Sequence, residues 1–293
     1  MQLRAPKYYK NFKCIADKCK HSCCIGWEID IDNKAQERYN SLSNLYGEYI
    51  RKSIIKGPLP HFHMTCNGKC VHLDNDGLCK IIKNVSEDYL CDICREHPRF
   101  YNFTNHGKEV GVGMSCESAC ELILSSDDFD QMEVLFNIED NIEKYEFDAV
   151  LEREKIYPIL KDSTYSFNYK INELCKIYDV SLDVDVMSII NDLEYLDENH
   201  KEYFWQFSRI DSANETFNKK LSRVLAYFIY RHCSEAFDLE EFRVCLGFSI
   251  FCTILIQGIS FENTLVEMAR VVSEEIEYSE DNTEKIKSLF YSC

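Results

Sequence analysis

Glycine and proline are scarce, at ten and five residues in a chain of 293. The glycines supply no phosphate-binding fingerprint: Gly111 and Gly113 lack a third partner and no strand–helix alternation surrounds them, which argues against a dinucleotide-binding fold. Pro158 is the last proline, so the remaining length is free of helix breakers of that kind and suits a helical bundle. Basic residues are also short, 33 against 50 acidic ones, for a net charge of −17. That balance excludes a nucleic-acid binder working by phosphate neutralisation and favours a cationic partner. The opening stretch MQLRAPKYYKNFKC has no apolar run of signal-peptide length, so a cytoplasmic protein is expected. One uncharged run, residues 244–261, just reaches the length of a membrane span. Arg243 and Glu262 bracket it and Gln257 and two glycines dilute it. It reads as a central core helix, with peripheral membrane contact left open.

What the chain has in quantity is cysteine, sixteen in all. In a reducing compartment these serve as ligands and buried thiols rather than as a disulfide frame. A chain of this length buries enough surface to fold without metal, so a metal site would be there for function first. Eleven cysteines precede residue 126 and five follow it. Charge divides at the same place: 17 basic against 15 acidic residues up to 125, then 16 against 35. Two shifts at one point predict a cysteine-rich domain over 1–125 and an acidic helical domain over 126–293, with the boundary near Ser125 to Asp128. The expected fold is mainly α, a metal-cluster domain with short β-hairpins followed by a helical bundle.

The stretch CIADKCKHSCC places Cys14, Cys19, Cys23 and Cys24 within eleven positions. After it, Trp27, Ile29 and Ile31 alternate with Glu28, Asp30 and Asp32, a period-two pattern predicting a short strand with three carboxylates on one face. Such a shelf is either a solvated edge or an attractor for a lysine ammonium beside the thiols. Residues 34–56 read as polar helix, ended by GPLP. Asn67-Gly68 and Asp76-Gly77 are turns beside Cys70 and Cys79, and let distant thiols converge. His61, His63 and His72 lie here but are left out of the metal set, because thiolates are already plentiful.

Residues 80–99 read as two short helices, the second carrying Cys91 and Cys94 and stopped by Pro98. Two cysteines separated by two residues make a good chelate, and Arg95 in the following position excludes a c-type haem site. Arg95 and Arg99 offer a hold on a carboxylate or phosphate, or salt bridges to neighbouring acids. A turn at 105–107, a strand and then a helix bearing Cys116 and Cys120 follow. Beyond, Leu221, Val224, Leu225 and Phe228, and again Leu265, Met268, Ala269 and Val272, keep helical apolar spacing, and Asp238 with Glu241 forms a capping-box pattern. Cys175, Cys233, Cys245 and Cys252 are read as ordinary buried thiols. Eleven thiols exceed one four-ligand site, and matched zinc-ribbon pairs are missing, so the spacing leans towards iron and sulfur over zinc. The radical-SAM spacing is absent.

The blocks FKCIADKCKHSCCIGWEIDID, GKCVHLDNDGLCKIIKNVSEDYLCDICREHPR and MSCESACELIL together resemble the three cysteine blocks of the flagellin lysine-N-methylase family, related to the wider class of cysteine-cluster proteins. The likeness continues through LAYFIYRH and SEEIEYSEDN. The resemblance implies a cytoplasmic, S-adenosylmethionine-dependent protein-lysine N-methyltransferase acting on flagellin, with one or two [4Fe-4S] clusters, and leaves membrane association and a homo-oligomer open. Its cysteines fall on Cys14, Cys19, Cys23, Cys24, Cys70, Cys79, Cys91, Cys94 and Cys116; Cys66 and Cys120 are particular to this chain. Glu117-Ser118 stands where the family has Pro-Glu, and His97 where it has Tyr. On this view Glu28, Asp30 and Asp32 are the candidates to receive the lysine proton, and Arg95 and Arg99 to hold the cofactor. The competing reading is a cysteine-cluster protein that stores metal or carries electrons without methyl transfer. A zinc-stabilised interaction module is a third.

Overall fold

The computed structural model describes residues 2–137, 145–209, 214–260 and 264–291. In chain order its elements are β1 (Gln2–Pro6), α1 (Asn33–Ser41), α2 (Leu45–Lys52), β2 (Ile54–Ile55), β3 (His61–Phe62), α3 (Lys80–Asn84), α4 (Asp92–Glu96), β4 (Arg99–Thr104), β5 (Gly107–Val112) and α5 (Glu117–Ser125). They continue with β6 (Met132–Asn137), α6 (Ala149–Lys161), α7 (Phe167–Tyr178), α8 (Val186–Asp192), α9 (Lys201–Phe204), α10 (Glu215–His232), α11 (Leu239–Ile259), α12 (Leu265–Val272), a π-helical turn (Ser273–Glu277) and α13 (Glu280–Lys287). The fold is therefore mainly helical, as the periodicity predicted, with a small sheet besides.

The chain forms two compact units, Lys13–Pro98 and Met1–Phe12 with Arg99–Cys293. The expected division near residue 125 does not match these limits. α5 carries Ile123 and Leu124 into the same core as Phe228, Phe248 and Met268, so the chain passes through residue 125 within one hydrophobic unit. β1 belongs to that unit as well, lying between β5, to which it is parallel, and β6, to which it is antiparallel, in a sheet of order β4-β5-β1-β6. The cysteine-rich unit is thus an insertion after the first strand. Composition could not reveal this, because strand pairing is a tertiary event and β1 itself is only five residues long.

In the larger unit the residues predicted to share a face do so: Leu221, Val224, Leu225 and Phe228 on α10, and Leu265, Met268, Ala269 and Val272 on α12, are buried. α11 starts at the predicted signal: Asp238 accepts a hydrogen bond from the Glu241 N–H at 2.8 Å, and the Glu241 carboxylate accepts one from Phe237 N at 2.9 Å. It is the one described helix long and apolar enough to cross a membrane, and 89% of its apolar window is buried inside the protein. Cys233, Cys245 and Cys252 lie in this core with burial pushing their thiols up, which suits inert packing residues.

Several charges buried in the same unit are paired, while buried Lys170 donates instead to Leu160 O at 2.6 Å and Ser222 Oγ at 3.1 Å. Arg153 on α6 donates to both Glu109 oxygens on β5, at 2.7 and 2.9 Å, with neither side chain exposed. Glu275 accepts backbone N–H bonds from Leu196 and Asp197 and a 2.6 Å bond from His200. Burial would lower the His200 pKa, but the hydrogen bond and charge of Glu275 outweigh it, and the net shift is upward. A raised folded pKa contributes stability that is fully present below the unfolded value of about 6.5 and disappears as pH rises through the folded value. Urea denaturation between about pH 6 and about pH 9 is therefore expected to show an alkaline-side loss of stability that His200→Gln abolishes; an identical pH slope in that variant would contradict the assignment.

Candidate metal centre

The unit Lys13–Pro98 has its own small core. Ile29, Ile31, Ala35, Tyr39, Ile50, Phe62, Cys70, Ile81 and Cys91 are buried together, with Cys24, Cys79 and Cys94 packed against them. Five thiols, from three separated stretches of sequence, thus share one core. The turns foreseen at Asn67-Gly68 and Asp76-Gly77 deliver two of them. Gly68 and Gly77 take φ of 66° and 77°, a left-handed conformation that favours glycine, and each reverses the chain beside a cysteine. Isolated bridges pair Met64 with Cys70 and Leu73 with Cys79, and Cys70 N donates to Cys24 O at 2.8 Å. Cys79 and Cys91 are the N-caps of α3 and α4, and Cys94 lies one turn along α4.

Electrostatics ties the five together. The Cys91 and Cys94 sulfurs are hydrogen-bonded at 3.4 Å. That bond lowers the Cys91 pKa, while the same bond, burial, and the charges of Cys91, Cys24 and Cys79 raise Cys94. Burial pushes Cys70 up to about 12, with Cys24, Cys79 and Cys91 adding to the effect. Cys79 is likewise raised, first by burial and then by Cys24 and Cys91, against two backbone N–H bonds. Cys24 goes the other way, to about 7, because Cys23 and Ser22 hydrogen-bond its thiolate and outweigh burial. Among the described residues no three His, Cys, Asp or Glu side chains are gathered round one ion position.

The remaining predicted ligands are not members of this core. Cys14 is exposed and accepts from Ala16 N at 3.4 Å, Cys19 donates to His21 O at 3.1 Å, and Cys23 is exposed but bonded to Cys24. Cys116 belongs to the larger unit, where it caps α5 and packs on that unit's core. Cys66, which the resemblance left out, is exposed. His72 is a buried core residue: Tyr46 Oη lies 2.9 Å from Nδ1 and Ser53 Oγ 2.8 Å from Nε2, so neither ring nitrogen is left for a metal.

The acidic shelf takes a different form from the one expected. Ile29 and Ile31 are buried as the alternation requires, but residues 27–32 form no strand beyond a bridge from Asp30 to His61. Asp32 is an N-cap: it accepts from Ala35 N at 2.9 Å and from Asp92 N at 2.7 Å, so one carboxylate holds the starts of α1 and α4. Burial raises its pKa, but those two N–H groups and Arg38 prevail and keep it low. Glu28 and Asp30 are exposed, with Glu28 4.0 Å from His61. Arg95 pairs with Asp92 and Glu96. Arg99, in the larger unit, donates from Nε to Tyr9 Oη at 2.9 Å and lies over the Phe12 ring.

The first helix of this unit also carries a side chain that no sequence signal marked. Tyr39 is wholly buried, and its hydroxyl has no hydrogen-bond partner. Burial, then the Cys91 and Cys94 charges, hold the phenol protonated. A second polar cluster also went unseen, in the larger unit, where LAYFIYRH meets SEEIEYSEDN. There the buried Glu277 carboxylate receives Tyr227 Oη at 3.0 Å, His232 Nε2 at 2.7 Å, Arg231 Nε at 3.2 Å and Ser273 Oγ. Tyr, Arg and His within one apolar helical stretch were the available signal.

Three curated proteins match part of the chain. Each is 23% identical over 130 residues, or 42% of this chain: two called Lysine-N-methylase, from Salmonella choleraesuis (strain SC-B67) and Salmonella typhimurium, and the flagellar biosynthetic protein FliU of Salmonella muenchen. The match spans 32% of each of the first two and 77% of the third. No protein-family profile and no solved structure matches the chain. The chain is thus distantly similar to flagellar lysine-N-methylase proteins.

If Asp32 is a structural cap, Asp32→Ala costs about 1–2 kcal/mol per lost cap in urea denaturation, more than Glu28→Ala or Asp30→Ala, which are exposed and near neutral. Equal stabilities for the three variants would remove the capping role.

Proposed function

We propose that this chain is a methyltransferase that moves the methyl group of S-adenosylmethionine to lysine side chains of flagellin, and that it depends on an iron–sulfur cluster held in the unit Lys13–Pro98. The observation that carries the reading is the gathering of Cys24, Cys70, Cys79, Cys91 and Cys94 in one core, in a chain similar to proteins named Lysine-N-methylase.

The donor set and its surroundings fit such a group. A lone zinc ion needs four donors at about 2.0–2.3 Å, which draws its ligands together at one point. Iron–sulfur clusters take thiolates on several irons, and five thiols in one core exceed the four donors of a single ion. The cations would also relieve the mutual repulsion that raises the thiols of Cys70, Cys79 and Cys94. The unpartnered Tyr39 hydroxyl points the same way, since it is a buried donor lacking an acceptor. A cluster held by these thiols would supply Lewis-acidic iron able to bind the amino and carboxylate groups of S-adenosylmethionine.

The chain's own residues have two further tasks. Methyl transfer forms an N–C bond as the C–S bond of the sulfonium breaks, and only the neutral amine has the lone pair to do it. A carboxylate must therefore take or share the lysine proton. Glu28 and Asp30 are exposed and free of the backbone bonds that commit Asp32, so the role falls to them. Arg95 is the candidate for a cofactor carboxylate, and its present Asp92 and Glu96 bonds are ones it would exchange. Arg99, bonded to Tyr9, is left out of this assignment.

Two measurements test the reading. Protein purified without oxygen is expected to hold iron and acid-labile sulfide and to pass labelled methyl groups from S-adenosylmethionine to flagellin lysines. Zinc without sulfide, or iron and sulfide without any methyl transfer, would replace it with an interaction module or a metal carrier respectively. In the active protein, the Glu28→Gln, Asp30→Asn double variant is expected to lose about 100-fold or more in kcat/KM at neutral pH with unaltered stability. Wild-type kinetics would remove the two carboxylates from the mechanism.

A further inference from the structure

Cys91 is the N-cap of α4 and Cys94 follows three residues on, so the first turn of the helix brings both side chains to one face. Both are free thiols, and their sulfurs lie 3.4 Å apart. A disulfide spans about 2.0 Å, so about 1.4 Å of side-chain movement separates this contact from a bond. The backbone beneath the pair is held from outside it. Asp92 N donates to Asp32 at 2.7 Å, Arg38 donates to Leu90 O at 2.9 Å, and Arg95 N closes the turn on Cys91 O at 3.0 Å. The two thiols differ in access: Cys91 is wholly buried, whereas Cys94 is half-buried.

We infer that Cys91 and Cys94 form a reversible dithiol–disulfide couple, a redox switch within the cysteine core whose oxidant is a low-molecular-weight disulfide. Cys94, the sulfur that a reagent meets first, attacks one sulfur of that disulfide. The bond between them forms as the reagent's own S–S bond breaks, and the first leaving thiolate takes the Cys94 proton. Cys91 then attacks the Cys94 sulfur, and the second leaving thiolate takes the Cys91 proton. Two protein thiols lose two electrons and two protons, and one reagent disulfide becomes two thiols. The couple stands on the sulfur contact and needs no metal. Its regulatory part rests on the metal-centre reading above: a disulfide offers no thiolates, so oxidation withdraws two of the five sulfurs, and metal loading and oxidation exclude one another.

The test uses the full-length wild type, stripped of metal, reduced, and then incubated without oxygen in oxidised glutathione before alkylation and tryptic digestion. Cleavage after Lys83 and Arg95 leaves Cys91 and Cys94 together in one peptide that holds no other cysteine. That peptide is expected to be two hydrogens lighter and unalkylated, and to regain two alkylatable thiols after treatment with dithiothreitol. Two alkylated thiols, a persistent glutathione adduct, or a link from either cysteine to another part of the chain would overturn the couple. Phenylarsine oxide, which bridges neighbouring thiols, is expected to protect both cysteines of the reduced protein from alkylation, and absence of protection would also count against it. The regulatory part is read by reconstituting the reduced and the oxidised protein with iron and sulfide. The oxidised form is expected to take up markedly less of both. Equal uptake would overturn the regulation, and no uptake in either form would overturn the metal-centre reading and the regulation together, while the peptide masses decide the disulfide independently.

Discussion

Five cysteine sulfurs cannot all ionise inside one apolar core unless positive charge sits among them. That constraint organises the unit Lys13–Pro98. Each thiolate raises the pKa of the next, and burial acts in the same direction on Cys70, Cys79 and Cys94. Cys24, helped by Cys23 and Ser22, is drawn down to about 7, and the bond to Cys94 lowers Cys91. The short elements around them are too small to bury much apolar area, so two glycine turns and one doubly capping aspartate fix where the sulfurs stand.

The larger unit solves a different problem. Its helices have ample apolar surface, and several of the charges it buries are matched within it: Arg153 with Glu109, His200 with Glu275, and Arg231 and His232 with Glu277. Breaking such a pair strands a charge, which makes them strict about registry whether or not they add net stability. The π-helical turn ends on Glu277, so the irregular backbone and the carboxylate network coincide. Every donor named around Glu277 is accounted for by that carboxylate, in contrast to the open hydroxyl of Tyr39 in the cysteine unit.

Much of the helical architecture was legible because its signals are local. Caps at Asp238 and apolar faces on α10 and α12 depend on residues three or four positions apart, and they are found where spacing put them. The pair Cys91 and Cys94 and the turns before Cys70 and Cys79 were legible for the same reason. The division of the chain was not. The shifts in charge and cysteine content near residue 125 are real, yet they fall inside a stretch whose apolar side chains enter one core, while the first strand joins its partners across the inserted unit's length of sequence.

The amino-acid order by itself determined that the chain is mainly helical, that its thiols concentrate before residue 125, and that particular turns would fold cysteine-bearing segments back on themselves. These follow from propensity, periodicity and spacing, which act over a few residues. Which five of those thiols share a core, that Asp32 is held as a cap while Glu28 and Asp30 stay open, and that Tyr39 is buried in the same core with its hydroxyl unbonded were decided only by tertiary structure. Burial and hydrogen-bond saturation are properties of what arrives from elsewhere in the chain, and no local pattern carries them.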